Sequence, residues 1–189
     1  MTFSPNNAAN VSVGKPKVGG AIFVAPLGTA IPTDATTALN EAFENLGFAS
    51  DAGVVKSASI SAESVNAWGG TEVLNSQTAY SETYAFTLIE SQRIEALKVA
   101  YGEANVTGTL ETGITVNHNA AARKGFVCVI EILRSNDSIQ RIVIPNGKVK
   151  ELGDVSFVDG SPIPYSVTIA ALPDDNENSS IEYMAKVAD

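Results

Sequence analysis

Apolar and polar residues alternate with a period of two along most of this chain. The cleanest run lies at residues 165–171, where Tyr165, Val167, Ile169 and Ala171 share one side and Ser166 and Thr168 the other. Such alternation marks a half-buried antiparallel strand. Residues 141–173 as a whole read as three consecutive strands. Ile142 and Ile144 carry the first, and Pro145-Asn146-Gly147 follows as turn chemistry. The second places Val155 and Phe157 on one face before Asp159-Gly160. Asn-Gly and Asp-Gly between alternating runs are hairpin signals, because both residue pairs tolerate the positive φ that tight turns need. Residues 126–133 are apolar on both faces, the mark of a central strand covered on both sides.

Upstream, residues 80–90 form a strand with Tyr84, Phe86 and Leu88 on one face. Residues 54–65 alternate Ser57, Ser59 and Ser61 with Ala58, Ile60 and Ala62; Trp68-Gly69-Gly70 turns the chain and residues 71–78 run back as its partner. Ile94, Leu97 and Tyr101 predict a helix capped by Ser91 and closed by Gly102. Leu39, Phe43 and Leu46 fall at i, i+4 and i+7 within the long connection 26–53, giving either a short helix or an ordered loop pinned by those side chains. Residues 17–25 make a first strand, with Gly19-Gly20 as a bulge or close approach. One or two weaker strands fall in residues 106–117. Residues 181–187 are a terminal strand or an arm that adds to a neighbour. The sum is a mostly all-β chain: a two-sheet antiparallel sandwich or flattened barrel with one flanking α-helix. Residues 1–16 are expected as a flexible arm before a single domain, 17–189, that ends in a C-terminal arm.

A length of 189 residues suffices for one real core. A net charge of −9 excludes a surface built to grip phosphates, which needs clustered Lys and Arg. It leaves room for a protein that surrounds a polyanion without holding it. One cysteine makes no intrachain disulfide, so packing must supply stability. The opening residues lack a secretory pattern and no run has membrane-spanning length, so the expectation is synthesis and folding in a cytosol.

Chemistry is sparse. A single His118 and a single Cys128 cannot assemble a zinc site within one chain. G-x-S-x-G and phosphate-binding glycine loops are absent. Cys128, in the doubly apolar strand, reads as a buried thiol. Asp174, Asp175 and Glu177 lack calcium-loop spacing and read as a solvated acidic loop. No enzyme and no cofactor is expected. Trp68 is either a core plug at a hairpin end or an exposed anchor for another subunit. Glu63, Glu72 and Glu82 lie on strands of the serine-rich region.

Four stretches, taken in order, resemble a known family: PTDATTALNEAFENLGFASDAGVV, AWGGTEV, FTLIES with LKVAYGEANVTG, and RIVIPNGKVKELGDVSFVDGSPIPYSVTIAALPD. Together they are similar to the major tail (tail tube) proteins of long-tailed bacteriophages, most nearly the type of actinobacterial phages, across residues 18–187. The resemblance implies a virion protein of the tail, made in the host cytoplasm. It implies sandwich subunits joined in hexameric rings that stack into a tube, with tape-measure and tail-terminator proteins as partners. DNA would pass through the bore without specific binding. On that basis Glu63, Glu72 and Glu82 are expected to line the bore, and Leu39, Phe43 and Trp68 to contact the next ring. Rival expectations are another virion sandwich, such as a tail terminator or head-decoration protein, and the tube of a contractile injection system.

Overall fold

Antiparallel pairing organises nearly the whole chain. The computed structural model describes residues 4–187. In chain order the strands are β1 (Gly14–Pro16), β2 (Ile22–Pro26), β3 (Glu44–Asn45), β4 (Ala49–Asn66) and β5 (Glu72–Leu88). Helix α1 (Ile94–Tyr101) follows, then β6 (Val106–Thr107), β7 (Thr115–Val116), β8 (Phe126–Arg134), β9 (Ser138–Leu152), β10 (Tyr165–Leu172) and β11 (Ile181–Lys186). Nine strands form one curved sheet in the order β3-β2-β8-β9-β10-β5-β4, and β6 and β7 make a small second ladder. β1 shares the β8 edge with β2, and β11 shares the β9 edge with β10. The sheet does not close into a barrel. Its two ends are linked by one segment: Leu46 N–H donates to Ile22 C=O at 2.9 Å and Ile89 N–H to Phe48 C=O at 3.0 Å.

One face of the sheet builds the core. Ile22, Tyr84, Leu88, Cys128, Ile130, Ile144 and Ile169 are fully buried there, with Leu46 from the β3–β4 connection and Ala96 and Val99 from α1. The other face of β8 and β9 is buried too, since Val127, Val129 and Val143 have almost no exposure. That face carries a buried pair. The Arg141 guanidinium donates to Glu131 Oε1 through Nε at 2.9 Å and also through Nη2. Its Nη1 donates to the carbonyls of Asp34 and Thr37 at 2.9 and 2.8 Å. Lys17 Nζ reaches the second oxygen of Glu131 at 2.5 Å. One guanidinium therefore satisfies two loop carbonyls that have no ladder partner, and ties the 27–43 connection over this face.

Several expectations change in consequence. Residues 31–43 form no helix despite Leu39, Phe43 and Leu46; Asp34 instead accepts from the backbone N–H groups of Thr36 and Thr37 at 2.7 and 2.6 Å, holding a turn. The connection is also shorter than 26–53, because β4 begins at Ala49. Pro145-Asn146-Gly147 is not a turn. β9 runs straight through it with a bulge, since Phe126 pairs with Gly147 and Cys128 with Ile144, leaving two residues opposite one. Proline has no N–H to lose there. Residues 71–78 and 80–90 fuse into the single strand β5. Phe157 lies exposed in a loop rather than in a strand. Helix α1 starts at Ile94 with no side-chain cap, not at Ser91, whereas Gly102 at φ 97° ends it as expected. The N-terminal arm is anchored earlier than residue 17: Gly14–Pro16 pairs with β8. Gly20 is a close approach, because a Cβ there would meet the Asn45 side chain at 2.3 Å.

Replacing Arg141 by Met should leave the buried Glu131 carboxylate with Lys17 alone opposite it, and the Asp34 and Thr37 carbonyls without their donor. Breaking one partner of such a pair costs about 3–5 kcal/mol. Urea unfolding checks this: the single variant should lose most of that amount, and Arg141→Met with Glu131→Leu should recover a large part.

Candidate functional site

β4 and β5 continue well past the domain that anchors them. β10 pairs with β5 only from Glu82 to Leu88, so residues 72–81 have β4 alone as a neighbour. Residues 57–81 are exposed throughout. At about 3.3 Å per residue, the ribbon reaches roughly 35 Å from Ser57 to the tip. Two shifts of register, after Ser61 and after Val65, add twist. At the tip, Ala67 N–H donates to Thr71 C=O at 2.8 Å and Gly70 N–H to Ala67 C=O at 2.9 Å. Gly69 and Gly70 take φ values of 108° and 89°, which only glycine adopts without strain.

The two faces of the ribbon differ. Cross-strand pairs Lys56–Tyr84, Ala58–Glu82 and Ile60–Tyr80 lie on the side that continues the core. Ile60 and Tyr80 are nevertheless 65% and 47% exposed, for none of the described residues packs over them. The reverse side pairs Ser57 with Thr83, Ser59 with Ser81 and Ser61 with Ala79. Across β10 the same side continues through Ser166, Thr168 and Ala170. Near the tip Val65, Val73 and Leu74 are also exposed, and Trp68 is completely so. Of the two readings of Trp68, the exposed one holds.

A polar cluster fixes the ribbon's root. The Glu82 carboxylate is 4% exposed. It accepts from Tyr84 Oη at 2.5 Å, Tyr80 Oη at 2.7 Å and Ser180 Oγ at 2.7 Å. Lys56 Nζ lies 3.0 Å from Glu82 and 2.8 Å from Glu182, stitching β4 to β11. Burial alone would raise the Glu82 carboxyl, but the hydroxyl and ammonium donors outweigh it and hold it at about 2. Burial likewise opposes the Lys56 charge, and its bonds to Glu182 and Glu82 outweigh that, raising its pKa. Burial and then the Glu82 carboxylate raise the Tyr84 hydroxyl.

The expected bore residues therefore do not share a surface. Glu63 is on the small, hydroxyl-rich side near Ser61. Glu72 pairs with Asn66 beside the tip. Glu82 is a correction: it is on the core side and buried, with its charge spent inside the domain. Leu39 and Phe43 are half-buried in the 27–43 connection, far in sequence from Trp68. Ser180, Glu182 and Lys56 went unnoticed in the sequence. The only signal was Lys56, a lone base at the head of the serine-rich run. Cys128 is fully buried, its thiol pushed up to about 12 by that burial. Among the described residues no cluster of side chains could hold a metal ion.

A family model described as phage tail tube protein matches residues 5–188. No curated protein matches the chain.

The Glu82 cluster generates a pH dependence. Its folded carboxyl titrates at about 2 against an ordinary 4.5, so the stabilisation is complete above pH 4.5 and is lost as pH falls from there towards 2. Urea midpoints across that window should fall for the wild type. Glu82→Gln should be less stable at neutral pH and show a shallower acid decline.

Proposed function

The chain belongs to the phage tail tube protein family, and from that premise we propose that its copies close into hexameric rings that stack into the tube through which DNA leaves the virion. The family is structural, not enzymatic, and implies a place in the virion tail. No helix is long and apolar enough to cross a membrane. The observation that carries the proposal is the β4–β5 ribbon. Two strands alone are marginal in water, and a ribbon bearing Ile60, Tyr80, Val65 and Leu74 in the open lacks the third layer that would hold it. Among the described residues the outer edge of β4 has no strand partner along its whole 18-residue length. Long unpaired edges pair with other chains. A second copy supplies both missing elements, and a ring does so with no edge left over.

The same geometry orients the subunit. If the core-side face of the ribbon is covered by a neighbour, the hydroxyl-rich side is left for the bore. That side carries Ser57, Ser59, Ser61, Thr83, Thr168 and Glu63, with Lys148 and Glu151 of β9 in register opposite Ala170 and Thr168. Duplex DNA bears one negative charge per ~1.7 Å, and clustered cations would hold it by releasing its counterions. A wall of small hydroxyls with few and balanced charges lets it slide. A tape-measure protein inside the tube and a terminator at its end complete the assembly. The 27–43 connection, with Leu39 and Phe43, and the Trp68 tip are placed at contacts between rings.

Electron microscopy of concentrated protein tests the reading. It should show uniform tubes or rings; particles that stay single at millimolar concentration would refute it. Ile60→Asp should abolish the tubes while leaving circular dichroism and thermal unfolding of the monomer nearly unchanged. Ser59→Lys with Glu63→Lys, carried in virions, should still build tails. DNA ejection followed by dye fluorescence should slow several-fold, most at low salt. Glu72→Lys, beside the tip, should alter ejection much less.

A further inference from the structure

A crevice of about 600 Å³ opens between α1, the end of β2 and the loop that leads into β8. Its walls are mostly apolar, from Val24, Leu27, Val99, Ala104, Phe126 and Val149. Lys98, Arg123 and Lys124 stand around it against Glu44 and Glu103, while Glu95 is paired with Arg93 at 3.5 Å. Arg123 Nε is buried with no acceptor, the single such side-chain atom among the described residues. A buried donor without a partner is costly, which points to an acceptor that the isolated chain does not supply.

The ribbon tip has the complementary properties. Trp68 presents a whole indole to solvent, flanked by Val65, Val73 and Leu74. Residues 57–81 contain Glu63 and Glu72 and no base, so the tip is anionic, while the crevice carries bases and acids in equal number, with Arg123 and Lys124 among its bases. The Ala67 and Thr71 carbonyls are used by the turn, but those of Trp68 and Gly69 make no backbone hydrogen bond. They are the acceptors nearest the indole. An arginine guanidinium also stacks well on a tryptophan face. The ribbon does not bend back to its own domain, because residues 57–81 are exposed on both faces. A domain of this length has a radius of gyration of about 16 Å. The roughly 35 Å reach of the ribbon thus spans about the width of an adjacent copy.

We infer that the Trp68 tip of one copy seats in the α1–β8 crevice of another copy, the indole filling its apolar floor and Arg123 reaching the tip's free carbonyls. This rests on the tube reading and names the receiving site for it. The occupant is a second copy of this chain, and the contact is of the open, head-to-tail kind that propagates from one subunit to the next.

Cross-linking in mixed assemblies tests the pairing. Chains bearing Ala67→Cys, which keep the Trp68 indole, are mixed with chains bearing Ala122→Cys, which lies at the crevice mouth, and treated with a short bis-maleimide. Cys128 is buried and stays out of the reaction. A covalent heterodimer should form in tubes and should not form when the mixture is diluted to monomers before the reagent is added. In parallel, Trp68→Ala and the crevice-filling Ala122→Trp should each raise the concentration at which tubes appear by about tenfold or more. Normal tubes with no Ala67→Cys to Ala122→Cys product, but with a product between Ala67→Cys and a Phe157→Cys chain, would overturn the docking site and leave the tube reading standing. Failure of the wild type to assemble at all would bring down both.

Discussion

A two-stranded ribbon has no interior, and this chain sends one about 35 Å into solvent with apolar side chains on it. That is the constraint on which the account depends. Backbone hydrogen bonds between β4 and β5 fix the shape of the ribbon, but they do not remove Ile60, Tyr80 or Trp68 from water. Fully covering one such side chain is worth about 1.5–3 kcal/mol. Joining two proteins costs an estimated ~4–15 kcal/mol in lost freedom. One ribbon contact is therefore comparable with the cost of a single association. Repeated contacts in a closed ring exceed it, because a ring adds a contact without losing another subunit's freedom. Weak single contacts and firm closed rings are what the proposed tube requires.

The rest of the domain serves as a platform for that ribbon. Glu82, Lys56, Tyr84 and Ser180 weld its root to β11 with bonds of 2.5–3.0 Å. On the opposite face Arg141 and Glu131 bind the 27–43 connection to β8 and β9. Each holds a carboxylate at near-zero exposure, where a partly paired group would be very costly. Each is complete, with every charge met. They give the sheet a fixed face on each side, so the direction in which the ribbon projects is set before any neighbour arrives.

Much of this architecture was legible in the residues, because period-two alternation reports directly on burial. Tyr84, Phe86, Leu88, Val167 and Ile169 are core residues as their spacing implies. Within the run 126–133, residues 127–131 are indeed buried on both sides, and its ends are half-buried. Local signals failed where a distant group overrode them. Pro145-Asn146-Gly147 carries turn chemistry, yet β8 and β10 on either side hold it in a strand. The helical spacing of Leu39 and Phe43 yields to Arg141, more than a hundred residues away, which takes the carbonyls of Asp34 and Thr37. Glu82 looked like its neighbours Glu63 and Glu72 because a strand register alone does not reveal which face meets a core. Had Arg141 and Glu131 been weighed as opposite charges inside two apolar strands, the buried pair would have been foreseeable. The exposed ribbon was half visible: serine alternation and Trp68-Gly69-Gly70 marked a hairpin, but not that it stands free of the domain.

Amide hydrogen exchange of the ribbon, compared between dilute monomer and assembled protein, probes the constraint most directly. Residues 57–81 should exchange fast in the monomer, while the 82–88 stretch of β5 is protected. On assembly, protection should extend along the ribbon to its tip. Assemblies in which residues 57–81 exchange as rapidly as in the monomer would show that no neighbour covers them, and the account would be wrong.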